Sequence, residues 1–236
     1  YSTKSIAHTI DVYGKFAFPY PYPVAQSVNG PVGGMEYPMI TFNGPRPVKD
    51  KKTGELTYTE RAKYGLIGVV IHEVGHIWFP MSVNSDERQW TWMDEGINSF
   101  LQFEAEKRWD PVKTRGRGEP RDIVEYMISR DQVPLMTHSD SLLQFGNNAY
   151  AKPATALVIL RETVLGRELF DFAFKANERN VRLLEASLGP PEQVQALRRR
   201  SGWTVAAALA VPALVLLLAL ALVIGLVALV VAGLFG

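Results

Sequence analysis

At 236 residues the chain has room for one or two ordinary domains and a sizeable core. Its 25 Lys+Arg against 24 Asp+Glu leave a formal charge of +1, so electrostatics give no reason to expect a nucleic-acid partner. Cysteine is absent, which excludes disulfides, thiolate metal sites and a cysteine nucleophile; any zinc must be held by histidine and carboxylate. The chain opens at Tyr1 without an initiator methionine, as a fragment or a processed product would.

Apolar positions at Ile6, Ile10 and Tyr13 predict a helix over 3–16 that ends before the extended "PYPYP". Glycine, proline and β-branched residues over 24–42 predict strands and turns, and "GPRPVKDKKTGEL" a polar loop. Thr57 with Glu60 has the spacing of a capping box and predicts a helix that runs to Phe79, where Pro80 stops it. A second helix is expected from Asp94 to Trp109, with acidic residues in its first turn. After the loop "KTRGRGEP" come a short helix over 121–130, a helix in "YAKPATALVILRETVLG" that closes at Gly166, and helical continuation over 167–188.

A basic linker is expected over 181–202; Pro190-Pro191 break the chain within it, before the arginine triplet at 198–200. The last 36 residues then carry no charge. A bilayer core is crossed by ~20 apolar residues, so 203–236 is expected to be a transmembrane segment and a point of membrane attachment. The arginine triplet favours a cytoplasmic position for its N-terminal flank.

The chemistry concentrates in "VVIHEVGHIWFP", where His72 and His76 stand four apart with Glu73 after the first. Four helical residues advance about 6 Å and return nearly to one face, so the two imidazoles point the same way. This is the H-E-x-x-H pattern, in which both histidines bind zinc and the glutamate handles protons. A catalytic zinc needs a third protein ligand. Glu95 follows His76 after 18 residues, and an antiparallel second helix returns it to the histidine face. A glutamate in a first helical turn also simply suits the helix dipole. Asp94 and Glu87 are rival carboxylates for proton transfer, Ser99 is a candidate to orient the histidines, and His8 and His138 read as surface or structural residues.

Three blocks, in order, resemble the aminopeptidase N family of zinc metallopeptidases, the gluzincins. "HEVGHIWFP" with "WMDEG" is similar to the zinc signature, spacing included. "GGMEYP" is similar to the exopeptidase motif, in a form met in bacterial members, although Tyr37 stands where asparagine is usual. "NNAYAKPATALVILRETVLG" is similar to the segment that holds the catalytic tyrosine. The resemblance implies an α+β, predominantly α, thermolysin-like catalytic domain over 1–180, with its β portion at about 24–42. It implies one zinc ion per chain on His72, His76 and Glu95, with Glu73 as general base and Tyr150 as donor to the oxyanion. It also implies that Gly33, Gly34, Met35 and Glu36 bind the substrate, with Glu36 pairing the free amine of a peptide N-terminus. The flanking β-rich and helical domains of the family are not represented. The alternatives are a zinc endopeptidase, an epoxide-hydrolysing relative, or a non-catalytic scaffold derived from the family. Location is expected to be membrane-associated through the tail, or otherwise secreted or periplasmic.

Overall fold

The computed structural model describes residues 1–44, 47–113 and 117–175. The architecture is mixed α/β and rich in helix. Helix α1 (Ser2–Phe16) leads into β1 (Gln26–Asn29), β2 (Gly34–Tyr37) and β3 (Ile40–Asn43), which form a sheet of order β1-β3-β2. β1 runs parallel to β3, and β2 pairs antiparallel with β3 in the register Gly34↔Asn43 to Tyr37↔Ile40. β2 therefore lies at an edge of this sheet.

The expected polar loop contains a small antiparallel ribbon, β4 (Val48–Lys49) with β5 (Leu56–Thr57). Thr57 is thus a strand residue, and the cap of α2 (Glu60–Gly75) is Thr59, whose side chain accepts from the Ala62 N–H. Regular α-helix ends at Gly75, and helical backbone breaks at Phe79, next to Pro80 as expected. Beyond Gly75 the chain makes a wide turn over Ile77–Ser82, closed by Met81 N–H to His76 O and Val83 N–H to Trp78 O, with Phe79 locally extended. Pro80 is accommodated there because a turn of this width does not call on its missing N–H.

A similar wide turn at Trp92–Gly96 feeds α3 (Ile97–Trp109). The short helix expected over 121–130 is a single tight turn followed by α4 (Val124–Met127). Gly146–Ala151 winds into α5 (Lys152–Ile159), and a last helix, α6, covers 167–175. The remainder of the helix expected to reach 188, the linker at 181–202 and the apolar segment at 203–236 lie outside the described residues. Among the described residues no helix is long and apolar enough to cross a membrane.

The core forms where α1, α2, α3 and α5 meet. Tyr13, Ile71, Val74, Trp78, Phe100 and Leu101 are all fully buried there. Trp78 anchors the end of α2 by donating from its indole N–H to the Phe18 carbonyl at 2.8 Å. Tyr13 threads between α2 and α3 and donates to Asn98 Oδ1 at 2.9 Å. That crossing works because residue 75 has no side chain: a Cβ there would stand 2.2 Å from Asn98 Oδ1 and 2.5 Å from Tyr13 Oη.

Two glycines of α2 should therefore respond oppositely to alanine. At Gly65 nothing lies within 4 Å of a new Cβ, so Gly65→Ala should stabilise by roughly 0.5–1 kcal/mol through helix propensity. Gly75→Ala should destabilise by about 1–3 kcal/mol, because overpacking outweighs that gain. Urea midpoints of the two variants that move in opposite directions are the expected result.

Candidate metal centre

α2 presents His72 and His76 one turn apart, both buried, with their Nε2 atoms 3.0 Å apart. Glu95 enters from the wide turn before α3, and its Oε2 lies 2.9 Å from His72 Nε2 and 3.3 Å from His76 Nε2. Zinc–ligand bonds of ~2.0–2.2 Å in a tetrahedron set ligand atoms roughly 3.3–3.5 Å apart. The observed spacings need only a few tenths of an ångström of relaxation to match.

The outer hydrogen bonds fix which ring nitrogens face inward. Gln102 Nε2 donates to Glu106 Oε1 (2.7 Å) and to the Gly68 carbonyl (3.3 Å), so its Oε1 is the atom that faces His72 Nδ1, at 2.9 Å. An amide oxygen only accepts, so His72 carries its proton on Nδ1 and turns a bare Nε2 inward. His76 donates from Nδ1 to the Phe79 carbonyl at 2.8 Å. Asp94 Oδ1 stands 3.0 Å from the same nitrogen but out of line with its N–H, so it acts as a charge rather than an aligned acceptor. Asn98 Nδ2 holds the His72 carbonyl at 2.8 Å. Ser99, a candidate orienting group, instead buries an Oγ that has no hydrogen-bond partner among the described residues. Orientation comes from Gln102 and Phe79.

Electrostatics among the protein groups alone call for added positive charge. Burial disfavours a charge on His76, yet Asp94 and Glu95 outweigh it and lift its pKa well above the ordinary value. Burial lowers the pKa of His72. Burial likewise opposes ionisation of Glu95, but its bonds to both histidines hold its carboxyl well below the usual range. A divalent cation satisfies this donor set in place of a proton, so the residues present fit a zinc ion.

Glu73, 6% exposed, lies beside the pair. Its carboxyl is pushed up to about 8, chiefly by burial, with Glu36 adding to the shift and His76 opposing it. Glu36, on β2, reaches this carboxyl: donor atoms of Glu36, Glu73 and His76 all lie within 4.8 Å of one another. Gly33 is open, with nothing within 4 Å of a Cβ, whereas a Cβ on Gly34 would stand 2.1 Å from Glu73 Oε1. Gly34 thus makes room for Glu73 itself. Met35 and Tyr37 take the alternate positions of β2 and are exposed. Tyr150 stacks on the His72 ring and donates from Oη to Glu95 Oε1 at 2.7 Å. Burial and the Glu95 charge hold its hydroxyl in the protonated form. The rival acid Glu87 lies at the margin, with its pKa raised by burial and then by Asp94. His8 binds the Ala105 carbonyl and His138 pairs with Asp140, both away from the centre.

The structure therefore brings together His72, His76, Glu95, Glu73, Glu36 and Tyr150. It adds Gln102, Asp94, Asn98 and Glu106 as supports. Their signal in the sequence is a polar stripe: Glu95, Asn98, Gln102 and Glu106 recur at helical spacing along a helix whose other faces carry Phe100, Leu101 and Phe103.

Histidines and a carboxylate converging from two successive helices, with a separate acid beside them, define a metallohydrolase-type centre. The model of the peptidase family M1 domain matches residues 1–177, and the chain belongs to that family. The fold is similar to the crystal structure of a mutant M1 zinc metallopeptidase from Deinococcus radiodurans (TM-score 0.56, 21% identity). The match covers 82% of this chain and 43% of that one, so the chain spans less than half the length of that structure. No curated protein matches.

Two outcomes follow from the outer hydrogen bonds. Gln102→Leu removes the acceptor that fixes the His72 tautomer and should weaken zinc binding about 10–100-fold in a chelator competition. Because Asp94 and Glu95 lift the pKa of His76 well above its ordinary value, zinc binding should release protons. Calorimetry in buffers of different ionisation enthalpy measures them, and the release should shrink as pH rises through the His76 pKa.

Proposed function

We propose that residues 1–180 form the catalytic part of a zinc aminopeptidase, which removes N-terminal residues from peptides. His72, His76 and Glu95 would hold the ion. When bound, zinc supplies Lewis acidity, which acidifies water and polarises a peptide carbonyl.

The chain's own residues supply the rest. Glu73 accepts the proton of the attacking water and passes it to the leaving amine. Its buried carboxyl beside the imidazole pair is placed for such transfer. Tyr150 keeps its proton and donates a hydrogen bond to the oxyanion of the tetrahedral intermediate. To do so its hydroxyl exchanges Glu95 Oε1, its present acceptor at 2.7 Å, for the substrate oxygen.

One observation carries the exopeptidase reading: Glu36 projects from an edge strand to within 4.8 Å of the Glu73 carboxyl. A free N-terminal amine, with a pKa near 7.7–8.0, is substantially protonated at neutral pH and can pair with the Glu36 carboxylate. A peptide lying along the open edge of β2, past Gly33, Gly34 and Met35, would present its ammonium to Glu36. Its first peptide bond would then lie at Glu73 and the histidines. An endopeptidase needs no such anchor, and a scaffold needs no proton-transfer group.

Glu36→Ala should cost about 2–5 kcal/mol in kcat/KM on free-amine peptides, as for truncation of one partner in a buried charge pair. Glu36→Gln should fall between, since its amide accepts a hydrogen bond without the charge. N-acetylated peptides should be poor substrates of the unmutated protein. Equal cleavage of free and acetylated peptides, untouched by mutation, would leave a generic zinc peptidase, and no turnover with zinc bound would leave a scaffold. Tyr150→Phe should retain zinc and lose roughly a hundred- to a thousandfold in turnover, read in single-turnover kinetics.

A further inference from the structure

Five carboxylates surround the centre: Glu36, Glu73, Glu87, Asp94 and Glu95. Against them stands the guanidinium of Arg117. Arg117 lies over the ring of Tyr150, with Cζ 4.5 Å from its centroid, while that ring is also stacked against His72. Arg117 is exposed, and among the described residues it has no carboxylate within ion-pair distance; the other arginine pairs belong to Arg108, Arg121, Arg161 and Arg167. The nearby Lys152 is engaged elsewhere, by Gln132 Oε1 and the Val133 carbonyl.

Arg117 owes its place to packing. The next residue, Gly118, is buried against α3, where a Cβ would stand 2.6 Å from Phe103 Cγ. That contact pins the backbone immediately after Arg117 to the helix that follows Glu95. The cation is thus set over Tyr150 by the core. The ring contact is made at the guanidinium carbon, and among the described residues no carboxylate engages its N–H donors, so they remain available for a bidentate bond to a carboxylate. In a site otherwise lined by acids, a second anchor of opposite sign has one ligand chemistry that suits it.

We infer that Arg117 binds a carboxylate of the peptide one or two residues beyond the bond that is cut. This rests on the peptidase reading above. Glu36 holds the ammonium end, and the scissile carbonyl lies near the Tyr150 hydroxyl. An extended chain advances ~3.3–3.6 Å per residue, so the residues after the scissile bond pass alongside the Tyr150 ring and within reach of the guanidinium. The favoured substrates are short peptides recognised at both charged ends, or longer ones with an acidic side chain at that place.

Three probes separate these sources: the dipeptide Leu-Ala, its C-terminal amide, and Leu-Asp amide. Turnover is measured with zinc-loaded protein, and binding by calorimetry in the zinc-loaded Glu73→Gln variant, which does not cleave them. Amidation of Leu-Ala should lower both kcat/KM and affinity about 10–100-fold, the scale of hydrogen bonds to a charged group. Arg117→Ala should lose that preference by weakening the dipeptide alone, and Arg117→Lys should keep part of it. Recovery with Leu-Asp amide assigns the side chain as a source; without recovery the C-terminus is the source. An unmutated protein that does not distinguish dipeptide from amide overturns the proposal. So does an Arg117→Ala loss that falls equally on both, which would mean that Arg117 only positions Tyr150. Carboxylate-selective binding without cleavage would sink the peptidase reading and leave the Arg117 site standing, while cleavage without selectivity does the reverse.

Discussion

Two buried imidazoles with their Nε2 atoms 3.0 Å apart, closed off by a carboxylate oxygen, form an arrangement that persists only if positive charge is shared among them. Much of the structure serves that constraint. α2 places both histidines on one face, and the wide turn at Trp92–Gly96 brings Glu95 to it. The Tyr13–Asn98 contact fixes how α2 and α3 cross, and Asn98 grips the His72 backbone. Gln102, held by Glu106, and the Phe79 carbonyl turn the two rings so that their inner nitrogens converge.

The same constraint organises the charges around it. Asp94 and Glu95 raise the pKa of His76, and burial, with the nearby Glu36, raises that of Glu73. The proton that His76 draws occupies a place that a metal ion at the histidines can take. Gly34 is part of this economy of space, because only a residue without a side chain lets the β2 strand approach Glu73 so closely. The small sheet thus contributes an edge strand and the Glu36 carboxylate, while the helices contribute the donors.

The histidine pair, Glu73 and the main helices are legible in the sequence because they depend on local spacing alone. Periodicity locates α1, α2 and α3 to within a few residues, and four-residue spacing puts both rings on one face. The features that escape it depend on contacts between distant segments. The capping role of Thr59 rather than Thr57 reflects pairing of β5 with β4, inside a stretch too polar to read as strand. The wide turn that replaces the last turns of the expected α2 holds Trp78, whose indole bonds to Phe18, sixty residues earlier. Ser99 and Gln102 are equally plausible supports by composition; only the rotation of α3 against α2 turns Gln102 toward His72 and Ser99 into the core. Arg117 is silent in sequence for the same reason, since its place over Tyr150 is set by Gly118 against Phe103.

The account stands on one claim, that His72, His76 and Glu95 together hold a single zinc ion. Metal analysis of purified protein after dialysis tests it directly, with circular dichroism to confirm that each variant is folded. About one zinc per unmutated chain, lost in folded His76→Ala, is the predicted result. Undiminished zinc in folded His76→Ala would contradict it and move the metal, and the chemistry built on it, elsewhere in the chain.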